Sequence, residues 1–175
     1  IWFNAVLRGD NQPIEIDDAI IFPCPLLRNK DNTDPTHWLR NFNWESISSS
    51  KARIVLAHGG VHEFGGRDYS FDDEAQSGAN NLININQLPS DEIDYIALGD
   101  WHNLKQVSDK AWYPGTPEPD RFDQGENNER GQVLHVDVSR NQKPEVKSIA
   151  TGRFKWHNII FRFNSDNDLD RFERQ

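Results

Sequence analysis

Apolar residues are arranged along this chain in two ways. Arg53 opens a continuous apolar run, Ile54-Val55-Leu56-Ala57, and Asp91-Glu92-Ile93-Asp94 leads into a second, Tyr95-Ile96-Ala97-Leu98. Runs of this length with no polar alternation predict strands covered on both faces. Ala19-Ile20-Ile21-Phe22 predicts a further short strand, closed by Pro23 and Pro25. Later segments change character. Ala111 to Tyr113 reads as a strand, and Gln132 to Val138, Glu145 to Ile149 and Phe154 to Phe163 alternate apolar with polar residues. That period of two predicts strands with one wet face. Asn141-Gln142 supplies a turn between two of them.

Helical signals are few. Asp34-Pro35-Thr36-His37-Trp38-Leu39 reads as a helix start, with Asp34 as N-cap and Pro35 at the first position. Ser48-Ser49-Ser50 is a loop, and Gly65 to Asn81 is a polar, acidic loop with one short helix around Asp72 to Ser77. Asp168-Leu169-Asp170-Arg171-Phe172 opens another helix. The pattern is mixed α and β, with strands dominating the second half and no internal repeat.

Composition adjusts this picture in three respects. The 175 residues are about one domain's worth, 35% hydrophobic and 27% charged, so a packed core depends on the six Trp and ten Phe. No apolar run approaches the ~20 residues that cross a bilayer, and no basic-then-apolar leader is present. A soluble, cytoplasmic protein with no membrane partner is expected. The single cysteine, Cys24, rules out an internal disulfide and sits between Pro23 and Pro25, where a small buried hydrophobe is the expected role. A net charge of −9 argues against a broad phosphate-binding surface on this chain, although bound metal ions can supply positive charge within a narrow site.

Candidate chemistry lies where the two buried runs stop. Ile54-Val55-Leu56-Ala57 passes straight into His58-Gly59-Gly60, and Tyr95-Ile96-Ala97-Leu98 into Gly99-Asp100-Trp101-His102. Ligands of open α/β sheets collect beyond the carboxyl ends of strands. In extended chain, residues two apart point the same way, about 6.6 Å apart. Catalytic ion pairs are separated by roughly 3.5–4 Å, so Asp100 and His102 could each hold one ion while Trp101 turns into packing. Imidazole with carboxylate suits Mn, Fe or Zn. The downstream segment Trp112-Tyr113-Pro114-Gly115-Thr116-Pro117-Glu118-Pro119-Asp120-Arg121-Phe122 predicts a stiff loop. Pro114-Gly115 fits the centre of a type II turn, and Thr116 and Glu118 each precede a proline.

Taken in order, Ile54 to Gly60, Tyr95 to His102 and Tyr113 to Phe122 resemble consecutive motifs of the calcineurin-like metallophosphoesterases. The nearest branch is the bacterial DNA-repair-exonuclease-like one, related to the SbcD nuclease subunit. That branch ends a strand in a ligand His, as at His58. It carries Gly-His-x-His where this chain has Gly99-Asp100-Trp101-His102, then a Tyr-x-Gly-Ser/Thr-Pro-Glu-Pro loop. Thr151-Gly152-Arg153-Phe154 resembles the exit from its catalytic domain.

The resemblance covers about residues 1 to 155. It implies an α+β fold, a two-sheet β-sandwich flanked by helices in four αββα layers. Residues 1–153 would form the C-terminal half of that domain, and residues 154–175 the start of an accessory segment. It implies two divalent ions, Mn foremost with Fe, Zn or Mg as alternatives. His58 and Asp100 would hold the second ion and His102 the first. Asp100 departs from the family's usual His and adds negative charge. The family's Asp-x-His, Gly-Asp-x-x-Asp and Gly-Asn-His-Asp motifs are not found ahead of His58. The implied function is phosphodiester hydrolysis by metal-activated water, with DNA among the substrates and a homo-oligomer or an ATPase subunit among the partners. This piece alone is expected to be inactive and to contain no catalytic residue. Half a sandwich would also expose an apolar face, so self-association is expected.

Other residues weigh less. Arg121 is a candidate phosphate contact that could equally pair with Glu118 or Asp120. His62 lies four residues after His58, but Gly59 and Gly60 disfavour the helix that would align the two. His37, His135 and His157 read as surface or structural, the Trp set as mainly core, and the clusters Asp72-Asp73-Glu74 and Asp166 to Asp170 as solvated faces. The rival class is a non-catalytic binding or scaffold protein on the same fold, in which Asp100 marks a lost metal site.

Overall fold

The computed structural model describes residues 11–26, 33–61, 82–120, 130–157 and 162. Ten strands are present among them: β1 (Ile14–Glu15), β2 (Ala19–Cys24), β3 (Ala52–His58), β4 (Gly60–Val61), β5 (Leu82–Ile83), β6 (Tyr95–Gly99), β7 (Leu104–Gln106), β8 (Ala111–Pro114), β9 (Gln132–Asp137) and β10 (Glu145–Ala150). The principal sheet has the order β1-β2-β3-β6-β8-β7. Its four inner strands run parallel, with an antiparallel strand at each edge. β4 with β5 and β9 with β10 form two further pairs. The chain is thus mixed α/β and dominated by strands in several sheets. Its helical segments among the described residues are short 3-10 turns, at His37–Asn41, Trp44–Ser46 and Ile85–Gln87. No helix of the described residues is long and apolar enough to cross a membrane.

The register explains the core. Ile20, Phe22 and Cys24 of β2 align with Arg53, Val55 and Ala57 of β3. Val55 and Ala57 align in turn with Ile96 and Leu98 of β6, and Ile96 with Ala111 of β8. All of these side chains are buried, so the four parallel strands present one continuous face. Trp38, Phe42 and Trp44 of the 3-10 turns pack on it around Phe22, the Phe22 and Trp44 rings 4.9 Å apart. The opposite face is less covered. Ile21, Ile54, Leu56, Ala97 and Trp112 are only half-buried, so β3 and β6 are not fully enclosed on both faces as the sequence pattern predicts.

Three boundaries differ from expectation. β2 continues through Pro23 to Cys24. β1 stops at Ile14, opposite Ile21, so no described strand on that side would use the N–H that Pro23 lacks. Asp34 does not cap a regular helix. Its carboxylate accepts from the backbone N and hydroxyl of Thr36, at 2.9 and 2.6 Å, and Thr36 stands at the head of the 3-10 turn. Finally, residues 154–157 and 162 lie outside any strand, although Phe154 to Phe163 alternates well. The Glu118 carboxylate accepts from the N–H groups of Arg153 and Phe154, which diverts those donors from a ladder. Phe154 and Trp156 are consequently exposed, so Trp156 does not join the core. The predicted helices around Asp72 and from Asp168 lie outside the described residues.

At the end of the sheet where β3 and β6 begin, Asp94 is wholly buried. It accepts from the backbone N of Arg53 at 2.8 Å, the backbone N of Asn141 at 2.8 Å and Arg140 Nη1 at 3.1 Å. Glu92 bridges the Arg53 and Arg140 guanidinium groups. This cluster fastens the β9–β10 turn, where Gln142 N donates to Ser139 O, to the main sheet. The opposite end of the hairpin is tied to the loop after β8, because the N–H groups of Gly131 and Gln132 share the Thr116 carbonyl.

Candidate functional site

β3 and β6 are adjacent, parallel and aligned so that His58 pairs with Gly99. Both chains therefore leave the sheet at the same edge. Gly59 N donates to Gly99 O at 3.0 Å, which holds the two exits side by side. The imidazole of His58 lies directly over Gly99: a Cβ built there would be 2.9 Å from His58 Nδ1. Glycine at position 99 thus leaves room for the imidazole of His58, and a side chain there would displace that ring.

This arrangement brings His58 and Asp100 together, with Nε2 and Oδ1 3.7 Å apart and the side chains 50% and 49% exposed. Two ligands of one ion, each ~2.1 Å from it at tetrahedral angles, are separated by about 3.4 Å. The pair therefore fits as two donors of a single coordination sphere open to solvent. Asp100 reaches this position with φ 119°, a conformation that ends the extended chain.

That bend corrects the extended reading of Asp100 to His102. His102 takes a separate environment, its Nδ1 2.5 Å from Asp120 Oδ2. Trp101, between them, packs against the core and carries the Lys105 ammonium 4.8 Å from its ring centre. Among the described residues, no three His, Cys, Asp or Glu side chains surround a common point. His58 and Asp100 are thus brought together, and His102 is not brought to them. Arg121 and His62 lie outside the described residues.

The loop after β8 forms the wall beside His102. Gly115 has φ 74°, but Pro114 remains in β8, so the predicted type II turn is not formed, and a Cβ on Gly115 would be 2.8 Å from Leu104 N. Thr116 N donates to the His102 carbonyl at 3.1 Å. Arg130, its side chain 8% exposed, reaches Asp120 Oδ1 at 3.4 Å with Nη1 and Asn103 Oδ1 at 2.7 Å with Nε. From beneath, the buried Tyr113 hydroxyl donates to Gly59 O at 2.7 Å.

Asp120, Arg130, Asn103 and Tyr113 were not singled out by sequence reasoning. Asp120 and His102 are 18 residues apart and Tyr113 and Gly59 are 54 apart, so no local spacing marks either contact. Of the histidines set aside, His37 lies within hydrogen-bonding distance of Arg40, His135 pairs loosely with Asp137, and His157 is exposed. Cys24 is buried and its thiol is pushed up to about 12, first by that burial, so it is no nucleophile.

Compared with protein-family models and with curated proteins, the chain matches none.

Proposed function

We propose that the intact protein is a dinuclear metal-dependent phosphoesterase that hydrolyses phosphodiesters, and that this chain supplies part of its metal site on a four-layer αββα fold. The observation that carries the reading is the convergence of the half-exposed His58 and Asp100 side chains, 3.7 Å apart, at the carboxyl ends of two adjacent parallel strands. An imidazole and a carboxylate half-exposed at this position form together a donor set for a borderline-hard divalent ion.

In this reading His58 and Asp100 share one ion, Mn foremost, and His102 holds a second. Bound ions supply polarisation of the phosphoryl group and a reactive water at neutral pH. The chain's own residues orient those ligands, and the stiff loop from Pro114 to Asp120 walls the site on the His102 side. The donors described here are too few for two complete coordination spheres. The remaining ligands belong, in this proposal, to segments beyond those described, and the 175-residue chain alone is inactive. DNA is one candidate substrate. With a net charge of −9, compact phosphodiesters are favoured over a long duplex.

The test is manganese-dependent hydrolysis of a chromogenic phosphodiester by the intact protein, beside His58→Ala and His102→Ala. Activity that collapses in both variants is expected. Absence of activity with any divalent metal would overturn the reading in favour of a scaffold on the same fold, with Asp100 the first residue to suspect.

A further inference from the structure

We propose that Asp120 is a positioning residue for His102, holding the imidazole with its proton on Nδ1 so that Nε2 is the nitrogen offered to an ion. The inference rests on the reading of His102 as an ion ligand. It concerns a residue that the strand-end pattern does not reach.

The 2.5 Å contact between His102 Nδ1 and Asp120 Oδ2 is not an ordinary surface pair. Exposed ion pairs contribute little because two mobile side chains must be ordered to form them. Here the carboxylate is fixed from behind. Asp120 is held on its other oxygen by Arg130, whose side chain is 8% exposed and is anchored in turn on Asn103, the residue after His102. The four side chains close a ring that begins and ends on neighbouring residues. The backbone repeats the connection, since Thr116 N donates to the His102 carbonyl and Gly115 packs onto Asn103 and Leu104. The segment that carries the carboxylate is therefore bonded to the segment that carries the imidazole.

A carboxylate can only accept from the neutral ring, so this contact selects the Nδ1–H tautomer and sets the ring plane. Metal-bound histidines are commonly oriented in this way, by a carboxylate or carbonyl on the nitrogen remote from the ion. The sequence separates these roles cleanly. Asp100 stands beside His58 as a fellow ligand, whereas Asp120 stands behind His102.

The test is nitrogen NMR on the histidine-labelled 175-residue chain at mildly alkaline pH, with His102 assigned from His102→Gln. Wild type is expected to show His102 protonated on Nδ1. Asp120→Ala should shift it toward Nε2–H, while Asp120→Asn, which keeps an acceptor oxygen, should restore Nδ1–H. Zinc titration should then move the His102 Nε2 resonance, with affinity weakened about 10–100-fold in Asp120→Ala. An Nε2–H tautomer in wild type, or a tautomer indifferent to Asp120→Ala, overturns the inference. The expected tautomers with a His102 resonance that zinc leaves unmoved would uphold Asp120's hold on the ring and sink the ligand reading instead.

Discussion

The hydroxyl of Tyr113 donates to the carbonyl oxygen of Gly59 at 2.7 Å in a buried setting, joining β8 to the residue that follows His58. β6 lies between the two strands, so the bond passes beneath the edge from which both candidate ligands emerge. Tyr113→Phe removes the donor and leaves a buried carbonyl without it, a loss of about 1–3 kcal/mol. A urea unfolding series should show a lowered midpoint at unchanged slope. An unchanged midpoint would mean that water replaces the hydroxyl and that the strand exit is not held from below.

Gly99 allows a separation of site from stability. A methyl group there would meet His58 Nδ1 at 2.9 Å, but the obstacle is the far end of a side chain that can turn away. Gly99→Ala is therefore expected to change stability by less than about 1 kcal/mol. Manganese affinity, read by calorimetry on the same preparation, should fall about tenfold or more as the imidazole is displaced. Retained affinity would place His58 outside the coordination sphere.

Asp94 tests the opposite end of the sheet. Its buried carboxylate satisfies two backbone N–H groups and Arg140, beside the nearly inaccessible Arg53. Asp94→Ala leaves the Arg140 guanidinium and two backbone N–H groups without their acceptor and should cost about 3–5 kcal/mol. Lys143→Ala, which breaks an exposed pair with Asp109, should cost at most about 1 kcal/mol. Equal effects in thermal or urea unfolding would show that the cluster is not the clamp that fastens the β9–β10 turn.

How far the sequence discloses this molecule depends on the range of the forces involved. β3 and β6 were legible as strands, though not as strands covered on both faces, because an uninterrupted apolar run of this length leaves little alternative, and their abrupt ends marked His58 and Asp100. The positive φ of Gly115 was legible for an equally local reason, the torsion that glycine permits, but the predicted type II turn does not close, because Pro114 stays in β8 and Thr116 N bonds across to His102 O. The start of the Phe154 to Phe163 segment misled because alternation describes a strand only if a neighbour accepts its N–H groups, and Glu118, 36 residues earlier, takes that of Phe154, while residues 158–161 and 163 lie outside the described residues. The bend at Asp100, with φ 119°, was equally hidden, since an aspartate after a strand gives no sign of leaving extended geometry. Asp120, Arg130 and Tyr113 act across the fold, where only the completed topology shows their partners.

Alkaline pH offers a test of the core. Burial pushes the Cys24 thiol from 9.0 up to about 12, with the Asp34 carboxylate adding to the shift. Burial likewise pushes Tyr95 from 10.0 up to about 12. In the unfolded chain both groups lose their protons near the lower values, whereas the folded protein keeps them. Their contribution is therefore complete below pH 9.0 and is lost as pH rises from there toward about 12. Urea midpoints should fall across that window, and the fall should begin later in Cys24→Ala, where only Tyr95 remains to titrate. The Cys24 thiol should also resist Ellman's reagent in the native state and react once urea unfolds the chain. A native thiol reacting at the rate of a free cysteine would show that the face of β2 carrying Phe22 and Cys24 opens readily, against the packing described here.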